Sequence, residues 1–433
     1  MKHKIILLAT TLLFIQLLYA QESKTLTLQD AIDMGIKYNK QLKSNEAKIM
    51  EATAAVKEAE ERKLPDASVS GSYLYMPIKP TINLKSGTGN GGSPTITQAV
   101  YVTLNVSLPI YNGCKIKYGI ESARFLKQAV KLDADNDREA VIMNIISACI
   151  NLYKAHQAIE LVKENLNQSQ QRVNDFSNLE NNGLLARNDL LKAELQSSNI
   201  ELALLDAESN YKLACVNMNI MMGLPEQTIL IPDKNGLALP AQIKTLEGYE
   251  QDAMQYRKDI SAISFRKKSA GILVKSTGAE KYPSVSLTGG YIAADIPKFL
   301  SVYNAVNMGV GIKYNIGSLW KTKSKIQQAE ARLKQITTNE EMLNDNIRLQ
   351  VNQAYLTYLV TVKKIQVYEK AVTQATENFR ITKNKYDNSL ATTTELLDAD
   401  VALLQCKLSV TNAKADSFIA YNKLLQSSVT LKN

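Results

Sequence analysis

Histidine and cysteine, which often supply nucleophiles, proton carriers and metal ligands, are scarce in this chain of 433 residues. The chain has two histidines and four cysteines, and His3 lies in a segment that we expect to be removed. No two of these side chains have the short spacing of a metal-ligand motif. We therefore predict that the chain is not an enzyme and that it uses no metal and no cofactor.

The four cysteines are Cys114, Cys149, Cys215 and Cys406, and their spacing matches no disulfide framework. The default expectation is a small buried thiol on a helix. Cys149 and Cys215 lie at nearly equal distances along the chain on either side of Gly183. If the chain reverses at Gly183, the two thiols lie at similar heights, so a disulfide between them is an open alternative.

Two carboxylates, Glu395 and Asp398, are three residues apart in a stretch with helical spacing. That spacing places both acids on one face of a helix. Thr392 lies three residues before Glu395, which also fits a capping box, where the acid only accepts hydrogen bonds at the helix start. The sequence leaves open whether these acids act on ions or only begin a helix.

The chain starts with the basic segment Met1–Lys4, and an uncharged apolar run follows from Ile5 to Ala20. These are the parts of a secretory signal peptide, to which we assign residues 1–20. After Ala20 no apolar stretch reaches about 18 residues, so a further helical membrane span is not expected. The formal charge of +9 is spread without a basic cluster, so nucleic acid is not an expected partner.

Two stretches, Val100–Leu108 and Val306–Tyr314, alternate between apolar side chains and polar or small ones, as a strand with one apolar face does. We predict strands near 66–76, 99–109, 284–294 and 303–315. Membrane strands of about 9–11 residues alternate in this way, but so does a soluble sheet with one solvated face. The smallest closed membrane barrels have about eight strands, so a barrel built from four strands per chain would need several chains.

Helical spacing covers most of the remaining chain, which predicts a mainly α fold with a small β part. The predicted helices are Leu26–Leu64, 113–178, Asp189–Met222, Leu246–Lys281, Trp320–Tyr386 and Thr394–Gln426. In each half the two shorter helices together match the long one in length, so they can stack end to end beside it as paired coiled helices. The order of elements occurs twice, and Pro65, Gly71 and Tyr73 recur 218 residues later as Pro283, Gly289 and Tyr291. An internal duplication explains this, with repeats at 21–222 and 246–433 and a connector with little regular structure at 223–245.

Three segments carry a resemblance to the TolC family of outer-membrane efflux and secretion channels. Ser389–Asp400 (SLATTTELLDAD) and 182–190 (NGLLARNDL) resemble the two helix-turn-helix tips of that family, and 108–113 (LPIYNG) resembles its strand-to-helix corner. The resemblance implies a homotrimer with a 12-stranded β-barrel in the outer membrane of a Gram-negative bacterium. A long coiled-coil α-helical barrel would continue it across the periplasm. The tips would meet a periplasmic adaptor protein and, through it, an inner-membrane pump.

The resemblance also implies a periplasmic gate. In the family, acids just after the second tip surround the narrow entrance, and Glu395 and Asp398 match those positions. The family's closing network uses an acid in the first tip and a tyrosine before the second, where Asp189 and Tyr386 stand. Ala391 replaces the arginine usually found in the second tip, which puts that salt bridge in doubt, although Arg187 of the first tip is a substitute.

Five tip residues are candidate contacts for the adaptor: Gly183, Leu184, Leu185, Ser389 and Leu390. The alternative is that the two tips simply pack on each other.

The favoured function is a passive export duct that belongs to a tripartite efflux or type I secretion system and is surrounded by outer-membrane lipid. The rival is a periplasmic or surface coiled-coil interaction protein without a pore, which would not need detergent. The sequence does not identify the exported substrate.

Overall fold

The computed structural model describes residues 23–78, 80, 96–233, 240, 242–297 and 299–428. The predicted signal peptide at 1–20 and much of the predicted loop between Pro77 and Gln98 lie outside these ranges. The described chain forms two compact units. Unit 1 contains residues up to Glu46, Ala134–Lys258 and the segment from Leu343 onward, and unit 2 contains Ala47–Asp133 and Asp259–Met342.

The elements are, in chain order, β1 (Ser23–Leu26), α1 (Leu28–Tyr38), α2 (Lys40–Glu61), β2 (Asp66–Tyr75), β3 (Gln98–Tyr111), α3 (Lys115–Asn181), α4 (Arg187–Met222), β4 (Ile229–Pro232), α5 (Leu246–Tyr256), α6 (Lys258–Gly278), β5 (Ser284–Ile296), β6 (Leu300–Lys313), α7 (Ser318–Asp387) and α8 (Thr393–Ser428). Helices α3 and α7 have 67 and 70 residues. The prediction of a mainly α fold with a small β part is confirmed. None of the described helices is apolar over a stretch long enough to cross a membrane.

Unit 2 contains a four-stranded antiparallel sheet in the order β2-β3-β5-β6. The register places Val69, Leu104, Tyr291 and Val306 side by side on one face, and Ser68, Asn105, Gly290 and Asn307 on the other. The first face is apolar and lies open, with Val306 and Met308 exposed by 72% and 83% in the single chain. The alternation in the sequence therefore produces a sheet whose apolar face is not covered by its own chain.

Strands β3 and β6 begin earlier than the sequence predicted, at Gln98 and Leu300, and β3 ends later, at Tyr111. The register shifts between Pro109 and Tyr111 and between Ile292 and Ala294, so the alternation is interrupted at the end of β3 and opposite the start of β6. These irregularities break the period of two on which the prediction depended.

Two predicted helices are each divided. The helix predicted over Leu26–Leu64 breaks at Asn39, whose backbone is extended. Asn39 Oδ1 accepts hydrogen bonds from the backbone N–H groups of Gln41 and Leu42, which begins α2. The helix predicted over Leu246–Lys281 breaks at Arg257, and its last residues, Ala279–Lys281, form a 3₁₀ turn. An apolar period cannot reveal such a break, because the helix resumes on the next residue.

The divided helices reveal a further match between the two halves. Thr27 caps α1 and Thr245 caps α5, and both helices have 11 residues. The two caps are 218 residues apart, the same spacing that separates the starts of β2 and β5. The similarity therefore includes local capping chemistry as well as the order of elements.

Part of the connector, for which the sequence predicted little regular structure, is a strand. β4 pairs in parallel with β1 in unit 1, and Leu26 and Leu230 are fully buried where the two strands meet. The sequence predicted little regular structure here, and the strand that does form has only four residues. Four residues between prolines are too few to show a period, and only the pairing with a distant strand makes them regular.

The core of unit 1 is centred on the middle of α3, from Val141 to Leu152, with side chains from α4 and α8 and from the β1–β4 pair. Cys149 and Cys215 both belong to this core and are free thiols, so the disulfide alternative is not realised. Burial raises the pKa of Cys149 to about 11, which keeps the thiol protonated and unreactive. Cys114 is exposed, contrary to the default expectation, because it lies in the turn between β3 and α3.

Candidate functional site

The first tip, between α3 and α4, is closed by backbone hydrogen bonds. Gly183 has a left-handed backbone with φ of 70°, its N–H donates to Glu180 O at 2.8 Å, and the Leu184 N–H donates to Leu179 O at 2.8 Å. This is the Schellman arrangement that ends helices at a glycine. It leaves the Leu184 side chain 75% exposed at the outermost turn.

The second tip, between α7 and α8, repeats this arrangement with a serine in place of the glycine. Ser389 has φ of 60°, its N–H donates to Tyr386 O at 2.9 Å, and the Leu390 N–H donates to Lys385 O at 2.7 Å. Leu390 is 77% exposed, like Leu184 in the first tip. Two exposed leucines thus occupy equivalent positions on equivalent turns.

Leu185 differs from the other predicted contact residues. It packs against a buried cluster that joins the ends of the four long helices at the tips, formed by Phe176, Leu190, Ala193 and Leu396. Its environment matches the alternative in which the tips pack on each other. The structure therefore separates the predicted set into an exposed part and one leucine that stabilises the tip.

Glu395 forms the capping box that the sequence offered as the simpler explanation. Its Oε2 accepts hydrogen bonds from Thr392 N at 2.7 Å and Thr392 Oγ1 at 2.9 Å, and its own N–H donates to Thr392 Oγ1 at 3.3 Å. The backbone N–H of Thr392, and then its hydroxyl, hold the pKa of Glu395 below its usual range. The acid is therefore ionised as well as fixed, and Asp398 lies exposed one turn further along α8.

Asp189 and Tyr386 lie near each other at the joined tips. Asp189 Oδ1 is 3.3 Å from Lys192 Nζ, which is also 3.3 Å from Thr394 Oγ1 on α8. Tyr386 stacks on Phe176 with ring centroids 5.5 Å apart. Burial and the negative charge of Asp189 raise the pKa of Tyr386, so the tyrosine stays neutral and acts as a hydrogen-bonding and packing group.

Arg187, the candidate substitute for the arginine missing from the second tip, is directed elsewhere. Its Nη1 lies 3.9 Å from Glu180 Oε1 of the same tip, and its side chain is largely exposed. A hydrogen bond from Lys192 Nζ to Thr394 Oγ1 connects the two tips instead.

A buried ion pair close to the tip was missed by the sequence reading. Arg172 Nη1 on α3 lies 2.9 Å from Asp400 Oδ2 on α8, and Asn165 Nδ2 donates to Asp400 Oδ1 at 3.3 Å. The Asp400 and Arg172 side chains are only 4% and 12% exposed. The sequence did contain one signal that Asp400 is buried. Asp400 lies one helical turn beyond Leu396, on the buried face of α8.

The described residues contain no group of three or more His, Cys, Asp or Glu side chains arranged to hold a metal ion. The features at the tips are fixed carboxylates, a stacked tyrosine, exposed leucines and an ion pair between helices. Such groups can attract ions, hold helices together and present a docking surface. They contain no arrangement of nucleophile, base and orienting group.

Long paired helices, two hairpin tips and a sheet with an uncovered apolar face define a subunit of an outer-membrane channel. A profile of the outer membrane efflux protein family matches residues 31–224 and 250–428. The chain belongs to the outer membrane efflux protein family, which consists of channels of Gram-negative outer membranes and not of enzymes. The long helices of this chain form the large periplasmic part of the channel.

Individual relatives agree with this assignment. The chain is similar to the outer membrane efflux protein BepC of Brucella suis biovar 1 (strain 1330), with 22% identity over 96% of this chain and 88% of that protein. It is 21% identical to the outer membrane protein TolC of Vibrio cholerae over 82% of this chain and 83% of that protein. The fold is similar to that of CusC, described as forming a transmembrane channel, with a TM-score of 0.77 at 18% identity over 93% of this chain and 92% of CusC.

Proposed function

We propose that three copies of this chain form the outer-membrane duct of a tripartite efflux or type I secretion system. The observation that carries the proposal is the sheet of unit 2. Its edge strands β2 and β6 each have one side without a partner in the described chain, and its apolar face is exposed. A bilayer accepts neither free strand edges nor an open sheet, so three copies pairing β6 to β2 would close a barrel of twelve strands.

The helices of unit 1 support the same assembly. Exposed apolar residues on α4 lie along one stripe: Leu191, Leu195, Leu202, Leu205, Leu213 and Ile220. A similar stripe on α7 contains Leu349, Leu356, Val360 and Val367. Both have the spacing of a coiled-coil seam, and two different stripes on one chain suit a head-to-tail ring of identical copies. Burial of these stripes would form the wall of a periplasmic tunnel.

In this trimer the second tips would meet at the axis, and Glu395 and Asp398 would line the entrance as six carboxylates. The capping box does not oppose this role, since it keeps Glu395 ionised while its side chain stays exposed. Asp189 and Tyr386 would hold the closed arrangement. Leu184 and Leu390, presented by the turns at Gly183 and Ser389, would contact the adaptor protein.

The chain itself would catalyse no reaction and would depend on an inner-membrane pump for energy. Residues 1–20 would direct secretion and be removed. The proposed domains are the two repeats at 21–222 and 246–433 and the connector at 223–245 between them.

The test is the mass of the purified protein in detergent together with its conductance in planar lipid bilayers. The proposal expects a trimer that needs detergent to stay in solution and forms discrete ion-conducting channels. A stable monomer that stays soluble after salt extraction and gives no channels would support the pore-free coiled-coil alternative instead.

A further inference from the structure

One edge of the unit 2 sheet lies where the long helices start. The start of β5 pairs with the ends of β3 and β6, so these three strand ends lie together at this edge. Helices α3 and α7 begin a few residues further along the chain. Glu280 lies 2.9 Å from Lys115 of α3 and 2.7 Å from Lys325 of α7, so the starts of the two helices are close to each other. We define the corner edge as residues 111–118, 279–284 and 313–325.

The corner edge is strongly basic. It contains seven lysines and one acid, Glu280. That acid is bound by Lys115 and Lys325, and Lys313 lies on the polar face of the sheet. The other four lysines are exposed, and none of them pairs with an acid in the described part of the chain: Lys117, Lys281, Lys321 and Lys323. The corner edge therefore presents positive charge that the chain itself does not neutralise.

The lysines at the start of α7 are not explained by the helix itself. The positive end of the helix dipole favours acids in the first turn and disfavours cations there. The first turn of α7 contains no acid, Lys321 is its fourth residue, and Lys323 follows in the second turn. Both lysines thus oppose the dipole of their own helix. A negative partner outside the chain would offset this cost.

Exposed apolar side chains continue from the apolar face of the sheet around the corner edge. Ile312, near the end of β6 on that face, is 74% exposed, and four further exposed residues follow it: Tyr314, Ile316, Leu319 and Trp320. Ser318 and Thr322 are buried on the packed side of α7, so Trp320, midway between them, points away from that side. Tryptophan and tyrosine beside lysine are typical of the boundary between hydrocarbon and headgroups, where the rings lie in apolar surroundings and the ammonium groups reach water.

We propose that the corner edge binds anionic phospholipid headgroups at the periplasmic surface of the outer membrane. Trp320 would lie at the level of the headgroups, with Lys321 and Lys323 beside the lipid phosphates. Basic clusters next to a bilayer favour anionic over zwitterionic lipids, because the ammonium groups attract the net negative charge. Lipid fits this surface because its exposed apolar residues are continuous with the sheet face that would contact the bilayer. The inference rests on the proposed duct, since it needs the sheet of unit 2 to lie in a membrane.

Trp320 is the only tryptophan of the chain, so its fluorescence reports on the corner edge alone. The experiment places the full chain in vesicles of equal parts phosphatidylglycerol, which is anionic, and phosphatidylcholine, which is zwitterionic. Either one or the other lipid carries bromine on its acyl chains near the headgroup, and bromine quenches tryptophan only at short range. We expect brominated phosphatidylglycerol to quench more strongly, with a preference on the order of fivefold. High salt should reduce this preference, because it screens exposed charges.

The variant Lys321→Gln with Lys323→Gln should bring the preference close to one while both lipids still quench Trp320, because the ring stays at the same depth. The matched control is Lys334→Gln with Lys364→Gln, which removes two exposed lysines further along α7. It changes the net charge by the same amount and should keep the preference of the parent.

Equal quenching by the two lipids in the parent would overturn the proposal and leave the duct intact. A preference that persists in the Lys321 and Lys323 variant, or that the control also loses, would do the same. If neither lipid quenches Trp320, the corner edge does not lie at the membrane surface and the proposal fails as well. Conductance of the same vesicles then shows separately whether the duct forms.

Discussion

At the scale of single residues, the two tips solve the same backbone problem with different side chains. Gly183 adopts its left-handed backbone at little steric cost, whereas Ser389 has a Cβ that crowds the following carbonyl. The hydrogen bonds that close the two turns are equivalent. The second tip therefore contains a local strain that the first tip lacks.

We expect Ser389→Gly to stabilise the second tip by about 0.5–1 kcal/mol and the reciprocal Gly183→Ser to destabilise the first by a similar amount. Thermal unfolding and the rate of limited proteolysis at the tips measure both effects. A shift of the same sign in the two variants would contradict this explanation.

Glu395 has two roles that can be separated by substitution. Glutamine also fits the third position of a capping box, so Glu395→Gln with Asp398→Asn removes the charges but keeps the helix start. We expect this pair to lower cation preference and abolish block by a trivalent cation, with an unfolding midpoint close to that of the parent. Glu395→Ala with Asp398→Ala should change conductance equally and also lower the unfolding midpoint, because the acid of the capping box is lost.

Planar-bilayer recordings under a salt gradient test the gate. If the Gln/Asn pair conducts and is blocked like the parent, Glu395 and Asp398 do not line the entrance, and Glu395 is only a cap.

At the scale of elements, the pair Arg172–Asp400 is a buried link between α3 and α8 near the tips. Removing one partner of such a buried pair leaves an uncompensated charge and typically costs about 3–5 kcal/mol. Arg172→Met or Asp400→Leu alone should therefore destabilise strongly, whereas the double variant should recover much of the loss. Denaturant unfolding of the four proteins gives the coupling free energy, and purely additive effects would rule out a direct link.

A second link joins the strand-to-helix corners in unit 2. Glu280 accepts a hydrogen bond from Lys115 Nζ at 2.9 Å through Oε1 and one from Lys325 Nζ at 2.7 Å through Oε2. Because Glu280 lies in the 3₁₀ turn, it connects that turn to the starts of α3 and α7. Hydrogen bonds from Lys115 and then Lys325 lower the pKa of Glu280. A carboxyl whose pKa is lowered by folding stabilises the protein above its unfolded pKa of about 4.3, and this contribution is lost as the pH falls through the folded value.

Glu280→Gln should thus lower the unfolding midpoint at neutral pH, by the equivalent of about 0.5–1.5 kcal/mol, and have little effect near pH 3. The control is Glu377→Gln, whose partner Arg380 is on the same helix turn and largely exposed. A loss in Glu280→Gln that is equal at both pH values would mean that the carboxylate charge is not the cause.

At the scale of the whole molecule, the exposed stripes of α4 and α7 decide whether the chain can act alone. Leu202 lies within the α4 stripe, and the neighbouring Ala203 is exposed to one side of it. We expect Leu202→Glu to reduce the trimer fraction by tenfold or more, since a buried charge costs well over 1.4 kcal/mol at each of three interfaces. Ala203→Glu should leave it nearly unchanged, and native mass measurement in detergent compares the two. Equal trimer fractions would place the interface elsewhere.

The sequence by itself determined the features that depend on local periods. The alternation in Val100–Leu108 and Val306–Tyr314 defined the strands and their apolar face, and helical spacing defined the long helices to within a few residues of their ends. Thr392 and Glu395 predicted the capping box, because a cap needs only residues three positions apart. The recurrence of Pro65, Gly71 and Tyr73 indicated the duplication.

The tertiary structure decided everything that joins distant parts of the chain. The strand β4, the pairing of Arg172 with Asp400 and the separation of Leu185 from Leu184 all depend on residues far away in the sequence. Likewise, only packing showed that Cys149 and Cys215 stay apart as free thiols in one core. Local periods fix which face of an element is apolar, but which other element covers that face depends on free energies summed over long-range contacts, and these leave no short-range trace in the sequence.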